Sequence, residues 1–175
     1  MRPKEIIQLA RATTPSLPDT TVLQLLAYSP VILGDDNSAN DQNEILREDV
    51  CIQLSNQLHP DDRLFIRYLL EQEISLHKHE QEGMLPNLKR CAYLLYRLSH
   101  VEDSLLIWRA KDTHFDTMCG IDVQLLIGGG LALTLAYLEA QPDSTDIIEY
   151  ITACKETGDF SNMDSFEREI EQYFE

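Results

Sequence analysis

Residues 59–83 read HPDDRLFIRYLLEQEISLHKHEQEG, and this stretch decides the fold class. Pro60 suits the first position of a helix, where its missing N–H would have had no partner, and Asp61 and Asp62 suit the positive end of the helix dipole. Leu64, Phe65, Ile66, Tyr68, Leu69 and Leu70 then cover almost every side of a helix. Such a segment is central and buried on several faces. Gly83 is the expected stop, giving a helix over about 60–82. In its second half Glu73, His77 and Glu80 fall at offsets of 4 and 7, so one face would present two carboxylates and an imidazole, with His79 pointing elsewhere. The pattern reads as a solvated acidic face. It is not H-E-x-x-H, so the paired zinc ligands of a metalloprotease are missing.

Downstream the helical period continues. Pro86 opens a helix with the stripe Leu88, Cys91, Ala92, Leu95 and Leu98. Ser99 reads as a cap with Glu102 completing a capping box, and the helix it starts carries Val101, Leu105 and Trp108. Residues 112–121, DTHFDTMCGI, fit no period and read as a loop or broken turn. Asp122 can cap a helix DVQLLIG, and Gly128, Gly129 and Gly130 predict a break, a kink or the close approach of another backbone. Helices follow over about 131–140, 144–156 with Gly158 as terminator, and 162–174 with Met163, Phe166, Ile170, Tyr173 and Phe174 on one side.

Upstream, residues 3–12 are amphipathic and 20–28 form a short second helix capped by Asp19 or Thr20. A helix over about 41–57 turns Ile45, Leu46, Cys51 or its neighbour Val50, and Leu54 inward. Between these last two lies PVILGDDNSAN, a flexible acidic loop around residues 30–41. Apart from the weak PVIL stretch there is no strand signal, and no repeat of 30–47 residues is found. The expectation is one domain over residues 1–175, all-α, built as an irregular multi-helix bundle or short α-solenoid of about eight helices.

The charge is less ordinary than the fold. Lys and Arg number 14 against 30 Asp and Glu, a formal net charge of −16. Phosphate backbones and anionic membranes need clustered basic residues, and only the small pairs Arg2/Lys4 and Lys89/Arg90 occur. Nucleic acid and membrane are therefore set aside, and a basic protein partner is expected. Cys51, Cys91, Cys119 and Cys154 form no C-x-x-C pair and mostly sit on apolar stripes, so they read as reduced and structural rather than as a zinc ribbon or disulfide frame. The N-terminus lacks the uninterrupted apolar stretch of a signal peptide, and residues 121–138 carry Asp122, Gln124 and three glycines, unlike a membrane span. A cytoplasmic location is the expectation.

The densest chemistry lies in WRAKDTHFDTMCGID, residues 108–122. His114 and Cys119 are a candidate base–nucleophile pair with Asp116 or Asp122 orienting the imidazole. His114, Asp116, Cys119 and Asp122 are alternatively a mixed ligand set of the kind zinc accepts, although the spacing matches no common site. The plainer reading is a structured corner whose Asp side chains cap helices and whose His and Cys fill packing gaps; another is a partner-binding corner with Trp108 as its aromatic anchor. The candidate binding residues are thus Trp108, His114, Asp116, Cys119 and Asp122, with no catalytic residue assigned, no metal and no cofactor expected. The glycine triplet lacks the G-K-[ST] ending and the preceding strand of a phosphate loop. The C-terminal stretch from Asp159 to Glu175 holds six carboxylates and one arginine. Together these features point to a non-enzymatic protein-interaction module. An acidic immunity- or antitoxin-like protein that neutralises a basic toxin is its concrete form. A metal-binding protein or hydrolase built on residues 114–122 is the alternative.

Overall fold

The computed structural model describes residues 1–33, 38–79 and 86–174. Its helices are α1 (Pro3–Ala12), α2 (Thr20–Gln24), α3 (Glu44–Asn56), α4 (Arg63–His79), α5 (Pro86–Leu98), α6 (Ser104–Lys111), α7 (Phe115–Gly120), α8 (Leu131–Glu139), α9 (Thr145–Thr157) and α10 (Met163–Phe174). Single 3-10 turns cover Pro60–Asp62, Val101–Asp103 and Val123–Ile127. The all-α class expected from the sequence is what the chain adopts. Ten α-helices are described where about eight were expected; the six-residue α7 is the one that falls where no helix was expected. Among the described residues no helix is long and apolar enough to cross a membrane.

α4 is the central element. It packs against α5 and α6, while α3 packs against both α1 and α5. Neighbours in space thus skip along the sequence, as in an irregular bundle rather than a stacked solenoid. Phe65, Ile66, Leu69, Leu70 and Ile74 of α4 join Val50, Cys51 and Leu54 of α3 and Leu88, Cys91, Leu94 and Leu95 of α5 in one contiguous apolar cluster. That cluster extends through Ile6 and Ile7 of α1 to Leu138, Ile147, Ile151 and Ile170 of the last three helices. Burial at roughly 25 cal/mol per Å² of apolar surface makes this cluster the main source of stability. Helix ends follow local chemistry. The Asp19 side chain accepts from the Thr21 and Val22 amides to start α2. Gly158, at φ 90°, ends α9 in the left-handed conformation that glycine adopts without penalty.

Several local expectations are corrected. Residues 30–41 are not one irregular loop: Pro30–Leu33 (β1) and Ser38–Asp41 (β2) pair antiparallel, Pro30 opposite Asp41 and Leu33 opposite Ser38. Strands of four residues are too short to leave a period in the sequence. The tip of that loop, residues 34–37, lies outside the described residues, as do Glu80 and the Gly83 stop. Helix α3 starts at Glu44 rather than 41, because Asp41 belongs to β2 and its Oδ1 accepts from the Ser29 and Asn43 amides. Ile45, expected inward, is exposed. Ser99 does not cap a helix: it sits at φ 60° in the turn after α5, and α6 begins at Ser104 after the 3-10 turn. Residues 112–121 hold a helix, α7, and DVQLLIG folds as a 3-10 turn.

The glycine triplet marks a close crossing, as the sequence predicts. A Cβ at Gly128 would lie 2.7 Å from the Tyr96 carbonyl oxygen and 2.9 Å from the Tyr96 Cα. Both obstacles are backbone and cannot swing aside. Gly128→Ala is therefore expected to cost about 1–3 kcal/mol, as overpacking does. Urea unfolding measures it, and a loss below ~0.5 kcal/mol would show that the turn and the end of α5 are not held together.

Candidate functional site

Residues 108–122 form a corner, and their side chains look in different directions. Trp108 is half-buried against Tyr150 of α9, ring centroids 5.2 Å apart. His114 precedes α7, and its Nδ1 accepts from the Asp116 and Thr117 amides at 3.2 and 3.4 Å while its own amide donates to Thr117 Oγ1 at 2.9 Å. This is a reciprocal helix cap. Asp116 lies exposed in the first turn of α7, where its charge suits the helix dipole. Cys119 is exposed. Asp122 turns to α5 and pairs with Lys89 Nζ at 2.7 Å. Among the described residues no hydrogen bond joins His114 to Cys119, and no group of three His, Cys, Asp or Glu side chains is placed to hold a metal ion. His114 and Asp116 are brought together; Trp108, Cys119 and Asp122 are not joined to them. Lys111, which the sequence did not single out, closes the corner. It is buried, its Nζ donates to the carbonyls of Met118 and Ile121 at the end of α7, and burial pushes its pKa down.

The most concentrated polar chemistry is elsewhere, inside the bundle. Arg47 of α3 has no exposed surface. Its Nε donates to Glu73 Oε1 of α4 at 2.7 Å and its Nη1 reaches the Leu26 carbonyl at 3.4 Å. Its Nη2 forms an ion pair with Asp41 Oδ2 at 2.6 Å. Glu73 is 2% exposed, and burial raises its carboxyl pKa against the pull of Arg47. One turn on, His77 is 7% exposed. Desolvation, with the nearby His114 and Arg47, pushes its pKa down to about 4, so it is neutral at pH 7. The His77 and His114 rings meet edge to face at 6.1 Å. The solvated face read from Glu73 and His77 is thus overturned for both: it is the internal face of α4. The signal was present, since Glu73 and His77 stand 7 and 11 positions after Ile66, on the stripe that Leu70 continues. The Arg47 network links β2, α3 and α4, and His77, one turn on from Glu73, meets the cap of α7 through the His114 ring.

Other arginines are drawn inward in the same way. Arg11 holds the buried Asp62 through Nε and Nη2, each at 2.7 Å. Arg63 and Arg67 share the buried Asp103. With these cations committed to internal or half-buried pairs, the surface is left with the negative surplus. From Asp143 to Glu171 the chain carries nine acidic residues, all exposed, against the exposed bases Lys155 and Arg168. They lie along α9, α10 and the turns beside them. Glu167 and Glu171 of this stretch also line a cleft of about 290 Å³ between α5 and α10, with Tyr93, Tyr96, Arg97, Ser99 and Gly128.

Compared with protein-family models, curated proteins and solved structures, the chain matches none of them.

Proposed function

We propose that this chain is a protein-interaction module that takes a basic protein partner on the face formed by α9 and α10. One observation carries the reading: nine exposed carboxylates against two bases between Asp143 and Glu171, while Arg11, Arg47, Arg63 and Arg67 are committed to buried carboxylates. An unbalanced field of this kind steers oppositely charged proteins into encounter and is weakened by salt. A basic toxin held by an immunity-type inhibitor is one partner class with the required sign. The corner at 108–122 supports a structural part better than a catalytic one, because His114 Nδ1 is engaged by backbone amides and Asp122 by Lys89.

The test compares the wild-type chain with the triple variant Glu149→Gln, Glu156→Gln, Glu169→Gln, all at exposed positions. Each chain is immobilised and used to capture its partner from the source cells, and the captured protein is then purified and titrated. Association with the wild type is expected to weaken steeply between low and 0.3 M salt, and the variant to bind about tenfold more weakly at low salt. A partner retained equally by both chains at every salt concentration would overturn the reading.

A further inference from the structure

The cleft between α5 and α10 has a more specific use, which rests on the reading of α9–α10 as the partner face. We infer that it is an arginine pocket: a guanidinium from the basic partner enters it, lies over the Tyr93 ring and pairs with Glu171. At about 290 Å³ the cleft has room for a single side chain. Its walls are of two kinds. The rings of Tyr93 and Tyr96 stack 6.5 Å apart at 18°; Tyr93 is buried, 6% exposed, with Arg97 over its ring and Phe174 of α10 behind it at 5.4 Å. Glu167 and Glu171 line the α10 side. Rings and carboxylates together are the chemistry that recognises a planar cation.

The cleft already shows this preference with its own residue. The Arg97 guanidinium lies over the Tyr93 ring, 5.7 Å from its centroid, although among the described residues it forms no ion pair. Glu167 is engaged by the Tyr96 hydroxyl, which donates to its Oε1 at 2.8 Å. Glu171 has no ion-pair partner among the described residues and is exposed at the rim. A partner's arginine therefore competes with Arg97 for the ring and gains a carboxylate that Arg97 leaves unpaired.

The probe is N-acetyl-Gly-Arg-Gly-amide, whose only charge is the guanidinium, with its citrulline counterpart as control. Amide ¹H–¹⁵N spectra of the full chain report where each binds. Saturable shifts are expected at Tyr93, Ser99, Gly128 and Glu171 with the arginine peptide and none with citrulline. Glu171→Gln is expected to weaken binding about threefold, in line with an exposed ion pair. Arg97→Gln is expected to strengthen it by a similar factor, because it removes the resident competitor. Weaker binding by Arg97→Gln would mean that Arg97 supports the occupant instead of competing with it, and would overturn the inference. So would equal shifts with citrulline, or no shift at these amides. If the cleft amides stay unmoved while partner capture keeps its dependence on salt and on Glu149, Glu156 and Glu169, the cleft is wrong and the face stands. Loss of that dependence removes the face by its own test.

Discussion

Replacing Arg47 with Met is expected to destabilise the protein by about 3–5 kcal/mol. The loss is large because of what stays behind. Glu73, 2% exposed, and Asp41, 5% exposed, would each keep a carboxylate in the interior without its cation. Asp41 retains two donors, the Ser29 and Asn43 amides at 2.9 and 3.1 Å. Glu73 retains no charged partner among the described residues, so most of the penalty falls on it. Against the roughly 5–15 kcal/mol that holds a typical domain, a change of this size leaves a chain close to unfolding. The partner substitution separates the charge effect from simple loss of packing. Arg47→Met combined with Glu73→Met replaces an ion pair by apolar groups of similar length, and such replacements are close to neutral or better. The double variant should therefore recover much of the single variant's loss in urea unfolding. Additive losses would mean that the two side chains act independently and that the network is not a unit.

Stability is also expected to fall as the pH drops from about 6.5 to about 4, with His77 as a principal cause. The folded protein holds this imidazole at a pKa of about 4, against the ordinary value of 6.5 in an unfolded chain. Above pH 6.5 neither state is protonated at this position and the residue contributes no pH dependence. Below 6.5 the unfolded state takes the proton first, so unfolding becomes easier until the folded form titrates as well. The span corresponds to about 3 kcal/mol, and at 7% exposure little of it is lost to solvent screening. Glu73 works with the opposite sign, since burial raises its pKa and its protonation on acidification favours the folded state. The His77→Gln variant isolates the histidine: the stability difference between wild type and variant should shift by about 3 kcal/mol in favour of the variant between pH 7 and pH 4. A difference that stays flat across that range would contradict the burial of His77 as an uncharged group.

These two residues also show what was legible in the sequence. The apolar run of α4, the stripe of α5 and the acidic outer faces of the last helices were readable because each repeats a helical period several times. The close approach at Gly128 was readable because nothing else explains three glycines between helical segments. Arg47, Glu73 and His77 were not, because charge on a helix is ordinarily read as solvent. Position carried the missing information: Arg47 stands 3, 4 and 7 places before Val50, Cys51 and Leu54, all fully buried, on the same side of α3. A charge on an apolar stripe calls for an oppositely charged residue on a facing stripe, and Glu73 meets that condition on α4.

The candidate site was legible in a different measure. Several of the polar residues between 108 and 122 serve a short helix that is capped at both ends. His114 caps its start and Lys111 its end, and Asp122 anchors to a lysine on α5. Such tasks use the same residue types as catalysis and metal binding, so composition alone could not separate them. Direction separates them, and direction depends on how α4, α5 and α6 meet around the corner.

Hydrogen exchange of the purified complex with its captured partner tests the acidic face most directly. The account predicts that amides in α9 and α10 slow on complex formation, in the region from Asp143 to Glu171. The result that would contradict it is unchanged exchange along α9 and α10 with protection confined to another surface, such as the turn of α7 beside the exposed Phe115.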